Sequence, residues 1–396
     1  MSVWDELIGQ DEAVATLQSA AAAAADIVDG RVTGNVAMTH AWLFTGPAGS
    51  GRSVAARALA AALQCDRTPK GCGECQECHT VATRSHPDVH SVVPEGLSIS
   101  VAEMRSVVGR SARRPVLGKW QIVVIEDADR LTEQASNALL KAIEEPPART
   151  VFLLCVPSLH PDDVMLTIRS RCRLVTLRTP PAAAIADVLR ADGVEPDVAT
   201  WAAAASQGHV GRARRLARDE GARAHRQAVL QIPASLTSMA ACMAAADQLV
   251  TAAEAEAAAL SAGLDADETA ALQIALGGGG TGKGTATVAR GTAGVLKDLE
   301  KRQKSRATRT QRDALDRALV DLAAFYRDVL LVHSRADIAP AHPDFDDDAR
   351  AVALQLGPAQ VLRRLDAVLE CRNALDLNVK PRIAVEALTA SLRLPG

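Results

Sequence analysis

Aromatic side chains are scarce in this sequence. Phe, Trp and Tyr together make up 2% of the 396 residues, although 48% of the residues are hydrophobic. Alanine therefore supplies much of the apolar content, and such a composition favours helices that pack closely through small side chains. The chain is long enough for two or three domains with a substantial core.

An excess of charge of one sign is also lacking. The formal net charge is −3, so no global positive field marks a nucleic-acid binder, and any such contact has to be local. The first residues, with Asp5 and Glu6, are acidic where a secretory signal is basic. The apolar run Ala20–Ala25 is too short to span a membrane and is followed by Asp26. We therefore expect a cytoplasmic protein without a membrane segment, whose thiols stay reduced.

A glycine-rich segment follows the first short apolar run. Ala41–Phe44 predicts a buried strand, and a helical pattern begins at Ser53. The turn between them can hold a phosphate with its backbone N–H groups and the start of the helix. The candidate nucleotide-binding residues in it are Gly46, Gly49, Gly51, Arg52 and Ser53.

One position departs from the usual nucleotide loop. Arg52 stands where the pattern requires lysine, and its planar guanidinium is larger than the compact ammonium that fits among phosphates. Ser53 keeps the hydroxyl that faces Mg²⁺ in such loops. We interpret the segment as an impaired nucleotide loop. The alternative is a glycine-rich turn that only joins the strand to the helix.

Four of the eight cysteines cluster in the sequence. Cys65, Cys72, Cys75 and Cys78 follow the spacing Cys-x6-Cys-x2-Cys-x2-Cys. Four thiolates on a short glycine-containing knuckle suit a tetrahedral Zn²⁺ ion, and a closed set of four indicates a structural site. Disulfides or free thiols are one alternative, which a reducing compartment disfavours. Cys75-x-x-Cys78-His79 also matches a c-type haem attachment pattern, but that attachment requires export.

Strand and helix patterns alternate over the first half of the chain. Further strands are predicted at His86–Val93, Gln121–Ile125, Val151–Val156 and Arg173–Leu177. Ser100 and Thr132 are predicted to cap two of the intervening helices. This alternation predicts an α/β fold with a parallel sheet covered on both faces.

Strand signals end at Pro181, and the remainder is predicted to be all-α. Within it, a flexible Gly/Thr-rich loop is predicted near 277–294. This loop contains a second apparent phosphate pattern, Gly277-Gly-Gly-Gly-Thr-Gly-Lys283. It lacks the Ser or Thr required next and follows a helix instead of a strand, so we do not expect it to bind a nucleotide.

Four motifs together point to one known family. They are Leu7-Ile-Gly-Gln10, the cysteine knuckle, Asn137-Ala-Leu-Leu-Lys-x-x-Glu-Glu-Pro-Pro147 and Ser170-Arg171-Cys172. With them the chain resembles the delta-prime family of bacterial DNA polymerase III clamp-loader subunits, which are AAA+ relatives. The resemblance is strong to about residue 215 and weaker beyond it. It implies an AAA+ domain at 1–179 with a zinc module at 65–78, a helical lid at 180–218 and a helical collar at 219–396.

The resemblance also implies the partners of the chain. In this family, delta-prime, delta and gamma/tau subunits form a hetero-pentameric ring that opens a sliding clamp and places it on primer-template DNA. Each ATP site of the ring is completed by an arginine from a neighbour. Arg171 matches that arginine finger, whose guanidinium neutralises charge on the neighbour's γ-phosphate. An ordinary surface arginine is the alternative.

Compared with the motor subunits of the family, the chain's own ATP site is degenerate. Besides Arg52, the acidic pair after the central strand is reversed as Glu126-Asp127, which leaves the shorter carboxylate where a water-activating base should reach. Motor subunits carry a sensing threonine, the first sensor, after the fourth strand, where this chain has Val156-Pro157-Ser158. Their second sensor is an arginine in a Gly-x-x-Arg setting. In this chain that position falls on Gly211, one place before Arg212.

These departures predict a stator, that is, a structural subunit of the ring. It would contribute to clamp loading, and its own ATP hydrolysis would be weak or absent. Binding of ATP and Mg²⁺ at the glycine loop stays open. The alternative function is an active gamma/tau-type clamp-loader ATPase. For direct DNA contact the candidate is the basic stretch Lys297–Arg312, with a solvated helix face as the alternative.

Overall fold

The computed structural model describes residues 2–31, 37–276 and 285–394. Within these ranges the chain forms two compact units. The first runs to Pro94 and resumes over Ser98–Arg214, and the second comprises Glu95–Leu97 and the chain from Arg215 onward. None of the helices in these ranges combines the length and the apolar character that crossing a bilayer requires.

In the described residues, five strands form one parallel sheet in the first unit. They are β1 (Ala41–Thr45), β2 (Val89–Val92), β3 (Gln121–Ile125), β4 (Thr150–Val156) and β5 (Arg173–Thr176). Their spatial order is β2-β3-β4-β1-β5, and every pairing is parallel. The strands β1, β3 and β4 are buried along their whole length, as expected for the centre of a sheet that helices cover on both faces.

Helices alternate with these strands and continue beyond them. They are α1 (Asp11–Val28), α2 (Arg52–Gln64), α3 (Gln76–Ala82), α4 (Val101–Ser111), α5 (Glu133–Glu144), α6 (Leu166–Arg169), α7 (Ala182–Ala191), α8 (Pro196–Ala205) and α9 (Val210–Arg218). The predicted caps are present, because the Ser100 and Thr132 side chains accept hydrogen bonds from backbone amides in the first turns of α4 and α5.

Successive β1 side chains enter two different cores. Trp42 and Phe44 pack with the alanine-rich helices α1 and α2, whereas Leu43 packs with α4 and α5 on the opposite face. The alanine content noted in the sequence therefore has a structural reason, since small side chains let α1 and α2 lie close to the sheet and to each other.

In its described residues from Arg215 onward, the second unit contains helices and connecting loops but no strand. Its helices are α10 (Glu220–Ser235), α11 (Met239–Ala275), α12 (Thr285–Ser334), α13 (Asp346–Gln355), α14 (Pro358–Asp376) and α15 (Pro381–Ser391). Phe325 and Tyr326 lie at its centre, with ring centroids 5.7 Å apart in an edge-to-face arrangement. The predicted fold class, α/β followed by all-α, is confirmed.

The predicted loop near 277–294 is wrong for residues 285–294, where α12 has already begun. Glycines at 291 and 294 suggested a break, but each costs a helix only about 1 kcal/mol relative to alanine. A helix of 50 residues whose later turns are packed in a core tolerates that cost. Residues 277–284, which include Gly277–Gly280 and Lys283, lie outside the described residues.

Asp88 organises the loop between α4 and β3. Its buried carboxylate accepts hydrogen bonds from the backbone amides of Val116, Leu117 and Gly118 at 2.8, 2.9 and 2.6 Å. Gln121 Nε2 donates another at 2.8 Å. Burial opposes the charged form, but the backbone donors outweigh it and hold the pKa of Asp88 below its usual range.

We expect Asp88→Asn to lower the free energy of unfolding of the first unit by about 1–3 kcal/mol at pH 7, because one acceptor oxygen becomes a donor. The depressed native pKa means that the carboxylate stabilises the fold above the pKa of the unfolded chain. This stabilisation is lost as the pH falls through the native pKa, so the difference between variant and wild type should shrink in acid.

Urea titration followed by tryptophan fluorescence measures this difference, since Trp4, Trp42, Trp120 and Trp201 all lie in the first unit. The control is Asp66→Asn, which removes an exposed ion pair to Lys119 and should cost less than about 1 kcal/mol. Equal losses in the two variants would contradict the role assigned to the buried carboxylate.

Candidate functional site

A cleft of about 750 Å³ opens in the first unit beside the loop that follows β1. Three segments line it: residues 5–8 from the start of the chain, residues 48–54, and positions between 180 and 214. Open parallel sheets bind ligands outside the carboxyl ends of their strands, and this cleft lies at such an end.

The glycine loop depends on backbone angles that favour glycine. Gly46, Gly49 and Gly51 have φ values of +155°, +83° and +93°. A Cβ on Gly49 would lie 2.7 Å from the Cα of His209, so the turn between α8 and α9 rests directly on the loop. Gly51 is the N-cap of α2, which places Arg52 and Ser53 in its first turn at the cleft.

Arg52 closes the loop on itself. Its guanidinium Nη1 donates to the carbonyl oxygen of Gly46 at 2.8 Å, which joins the two ends of the loop. A lysine ammonium in this pattern contacts the phosphates of a nucleotide. In this chain, Arg52 stands in place of that lysine, and one of its N–H donors is bonded to the loop backbone instead.

The acidic residues after β3 are engaged by arginines. Glu126 Oε1 lies 3.2 Å from Arg57 Nη1 and 2.9 Å from Arg84 Nη2, and the Glu126 side chain is 13% exposed. Asp127 adopts a left-handed backbone conformation with φ +50°. Neither acid lines the cleft in the described part of the chain. A cation at Glu126 would therefore have to compete with two guanidinium groups.

The helices after the sheet supply the other wall of the cleft. His209 and Gly211 line it, and so does Arg214, whose Nε lies 2.7 Å from Asp192 Oδ2. Arg212 is not among the lining residues. The arginine on this wall of the cleft, Arg214, is therefore one that the sequence pattern missed, three places beyond Gly211.

Arg171 lies just beyond α6 and outside the cleft. Its side chain is 40% exposed, its Nη2 lies 2.8 Å from Glu144 Oε1, and its Nη1 donates to the Thr167 carbonyl at 3.0 Å. Glu144 belongs to the Asn137–Pro147 motif at the end of α5. The structure thus joins two motifs that lie apart in the sequence, and it presents the guanidinium at the protein surface.

The four clustered cysteines meet at one point. Their sulfur atoms all lie within 4.8 Å of one another, with Cys65 Sγ 3.7 Å from Cys72 Sγ and 3.8 Å from Cys75 Sγ. Tetrahedral zinc with Zn–S bonds of about 2.3 Å separates its sulfurs by about 3.8 Å, whereas a disulfide requires about 2.05 Å. The Cys78 sulfur completes the set, which fits a metal ion.

Backbone amides donate hydrogen bonds to two of these sulfurs. Cys75 N donates to Cys72 Sγ at 3.4 Å and Cys78 N donates to Cys75 Sγ at 3.4 Å. Burial opposes ionisation, but the hydrogen bonds from the amides of Glu74 and Cys75 lower the pKa of Cys72 to about 7. The thiolate is the form that binds metals.

Part of the basic stretch Lys297–Arg312 is used inside the second unit. Arg306 Nη2 lies 3.0 Å from Asp265 Oδ1 and also pairs with Glu268 on α11. Arg312 Nη1 donates to the Leu375 carbonyl at 2.6 Å. These contacts give two of its cations structural partners, and direct DNA binding by the stretch stays a prediction.

Comparisons with known proteins find subunits of DNA polymerase III. Residues 31–181 match the family described as DNA polymerase III, delta subunit. The DNA polymerase III subunit delta' of Pseudomonas aeruginosa is 39% identical over 155 residues, 38% of this chain and 47% of that protein. The DNA polymerase III subunit gamma/tau of Mycobacterium bovis is 31% identical over 203 residues, 50% of this chain and 33% of that protein.

A solved structure, a DNA polymerase III gamma subunit-related protein from Thermotoga maritima, aligns with 94% of this chain and 98% of its own. Its TM-score is 0.41 at 14% identity. The chain spans about half the length, or less, of the curated relatives that it matches. The sequence matches confirm the resemblance to delta-prime clamp-loader subunits that the motifs predicted.

We expect Gly49→Ala to destabilise the first unit by roughly 1–3 kcal/mol more than Gly193→Ala, because overpacking adds to backbone strain. Both glycines have φ +83°, so the strain of an alanine is common to the two variants. A Cβ on Gly193 meets nothing within 4 Å, whereas a Cβ on Gly49 meets the backbone of His209. Urea titration compares them, and equal losses would show that the α8–α9 turn does not rest on the loop.

Proposed function

We propose that this chain is a delta-prime-like clamp-loader subunit of DNA polymerase III, which contributes to loading the sliding clamp onto primed DNA during replication. In this proposal it acts as a stator in a hetero-pentameric ring with gamma/tau and delta subunits, in the cytoplasm. The observation that carries the proposal is an exposed arginine in a family motif, Arg171, in a chain whose own Arg52 and Glu126 are already engaged by other groups of the protein.

The engaged groups favour weak or absent ATP hydrolysis. Arg52 bonds to the Gly46 carbonyl, and Glu126 is neutralised by two arginines, so neither is poised for phosphate or Mg²⁺. Asp127 is one methylene shorter than a glutamate base, and small offsets at a reacting centre are costly. The glycine loop keeps the backbone that cradles phosphates, so retention of a bound nucleotide without turnover is part of the proposal.

Arg171 is proposed to act on the ATP site of a neighbouring motor subunit. A guanidinium that reaches the γ-phosphate stabilises the charge that develops in phosphoryl transfer, an effect worth several orders of magnitude in rate. Exposure of the side chain at the surface supports this role. The pair with Glu144 restrains the guanidinium without burying it.

The cysteine cluster is proposed to hold one Zn²⁺ ion through Cys65, Cys72, Cys75 and Cys78. The closed set of thiolates, its sulfur separations and the backbone N–H donors support zinc. Four protein ligands leave no open coordination position for catalysis. The proposed role of the ion is therefore structural.

An active gamma/tau-type ATPase is the second candidate function. The match to the Mycobacterium bovis gamma/tau subunit extends over half of this chain, which favours it. ATP turnover by the isolated chain separates the two functions. Steady hydrolysis that persists in Arg171→Ala would support the motor, whereas no turnover by the wild type would support the stator.

We expect Arg171→Ala to lower the DNA-stimulated ATPase rate of a reconstituted clamp loader by at least about tenfold at the site that it serves. The variant should fold normally, because the exposed ion pair with Glu144 contributes less than about 1 kcal/mol. The matched control is Arg169→Ala, two residues away and also exposed. An unchanged rate in Arg171→Ala would refute the trans role.

We expect the purified chain to retain about one zinc per molecule through dialysis, as closed four-thiolate sites do. Cys78→Ser should lose that metal and lower the thermal stability of the first unit, because metal binding is coupled to folding. Cys371→Ser, a buried cysteine of the second unit, should keep it. Metal analysis measures both, and a wild-type chain without metal would remove the zinc assignment.

A further inference from the structure

The start of the chain connects the cysteine cluster to the cleft. We name residues 2–10 the N-terminal strap. Its first residues bond to the loop between Cys65 and Cys72, and its last residue bonds to the glycine loop. The residues between these two attachments, 5–8, form one wall of the cleft.

Three hydrogen bonds attach the strap to the cysteine loop. Ser2 Oγ and the Val3 amide both donate to the Gly71 carbonyl, at 2.9 and 3.0 Å. Trp4 Nε1 donates to the Lys70 carbonyl at 3.0 Å, and the Trp4 side chain is buried. A Cβ on Gly71 would lie 2.7 Å from Trp4 Nε1, so the indole packs directly on this backbone.

The other end of the strap is fixed by a buried amide. Gln10 Nε2 donates to the Ser50 carbonyl at 3.3 Å and to the Arg178 carbonyl at 2.6 Å. Gln10 Oε1 accepts from the Arg178 amide at 3.1 Å. Leu7 is also buried, and its Cδ2 lies 3.9 Å from where a Cβ on Gly51 would be. The glycine loop and the strap are therefore packed as one surface.

We propose that the cysteine cluster sets the wall of the cleft through this strap, so that metal occupancy and nucleotide affinity are coupled. The carbonyls of residues 70 and 71 lie in a loop whose two ends, Cys65 and Cys72, are brought together by the sulfur cluster. Release of the cluster frees that loop and with it the acceptors that hold Ser2, Val3 and Trp4. Trp4 and Gln10 are positioning residues in this arrangement.

This inference rests on the zinc site and the retained nucleotide of the proposed function. The ligand is recognised by the chemistry at the cleft, a phosphate-bearing nucleotide on the glycine loop beside apolar strap residues Leu7 and Ile8. Thermodynamic linkage makes the coupling reciprocal, so ADP should tighten zinc binding by the same factor by which zinc tightens ADP binding.

The first test is amide hydrogen exchange over residues 2–10, in the zinc-loaded full chain and after chelation. We expect exchange in the strap, and at the Val3 amide above all, to become at least about tenfold faster without zinc. ADP affinity, measured by calorimetric titration of both forms, should fall by about fivefold or more. Unchanged exchange in the metal-free chain would overturn the proposal.

The second test releases the strap without touching a cysteine. Gly71→Ala places a methyl group against Trp4 and should speed exchange in residues 2–10 and weaken ADP binding while about one zinc stays bound. Gly193→Ala is the matched control, because it has the same φ of +83° and open space around its Cβ. It should leave the strap and the ADP affinity unchanged.

These two tests also separate this inference from the proposed function. If chelation unfolds the first unit, Gly71→Ala decides, and normal ADP affinity with a released strap would overturn the coupling. If the wild-type chain binds no ADP, the retained nucleotide of the proposed function fails and the coupling fails with it. If it binds ADP but no zinc, the metal assignment fails and the coupling between metal and nucleotide is overturned, whereas the nucleotide part of the proposed function stands.

Discussion

The parallel pairing of β1 between β4 and β5 is the constraint on which the site depends. Thr45, the last residue of β1, pairs with Val156 on one side and Thr176 on the other. All three strands therefore end at one edge, where the chain turns into the glycine loop, the segment around Ser158 and the bend at Leu177. The Leu177 amide donates to the Thr45 carbonyl at 2.7 Å, which holds that bend against Gly46.

Charge compensation characterises the polar groups around the glycine loop and the end of β3. In the proposed stator, the groups that would meet Mg²⁺ and phosphate are satisfied by the protein itself, through Arg52 on Gly46 and through Arg57 and Arg84 on Glu126. A buried carboxylate without partners would be destabilising, and two guanidiniums remove that penalty. The parallel sheet and its glycine loop can thus keep their shape and stability while these groups are engaged by the protein itself.

Features that depend on a local sequence pattern were predictable. Contacts between residues that lie far apart in the sequence were not. The strands and the glycine loop follow from apolar runs and from residues that tolerate unusual φ values. The four cysteines were predicted together because their spacing is short. The pairing of Glu126 with Arg84 joins residues 42 positions apart, and nothing local signals it.

The same limit applies to the cleft wall and to the second unit. The pattern put the second-sensor position on Gly211, one place before Arg212, whereas in the folded chain Arg214 lines the cleft. The start of α12 at Thr285 was missed because the glycines of this segment were interpreted as a loop, although the helix continues through them. The sequence motif identified Arg171 as a candidate residue. Its ion pair with Glu144 could be identified only from the folded chain.

In the proposed clamp-loader ring, the pair between Arg171 and Glu144 would be readily exchanged for a contact with another subunit. Both side chains are about half exposed, so water and salt screen their attraction and its rupture requires little free energy. A multiply charged phosphate arriving on another protein would attract the same guanidinium more strongly than a single carboxylate does. Glu144 would then act as a temporary partner of Arg171. It would limit the rotamers of the exposed Arg171 side chain until a stronger acceptor comes within reach.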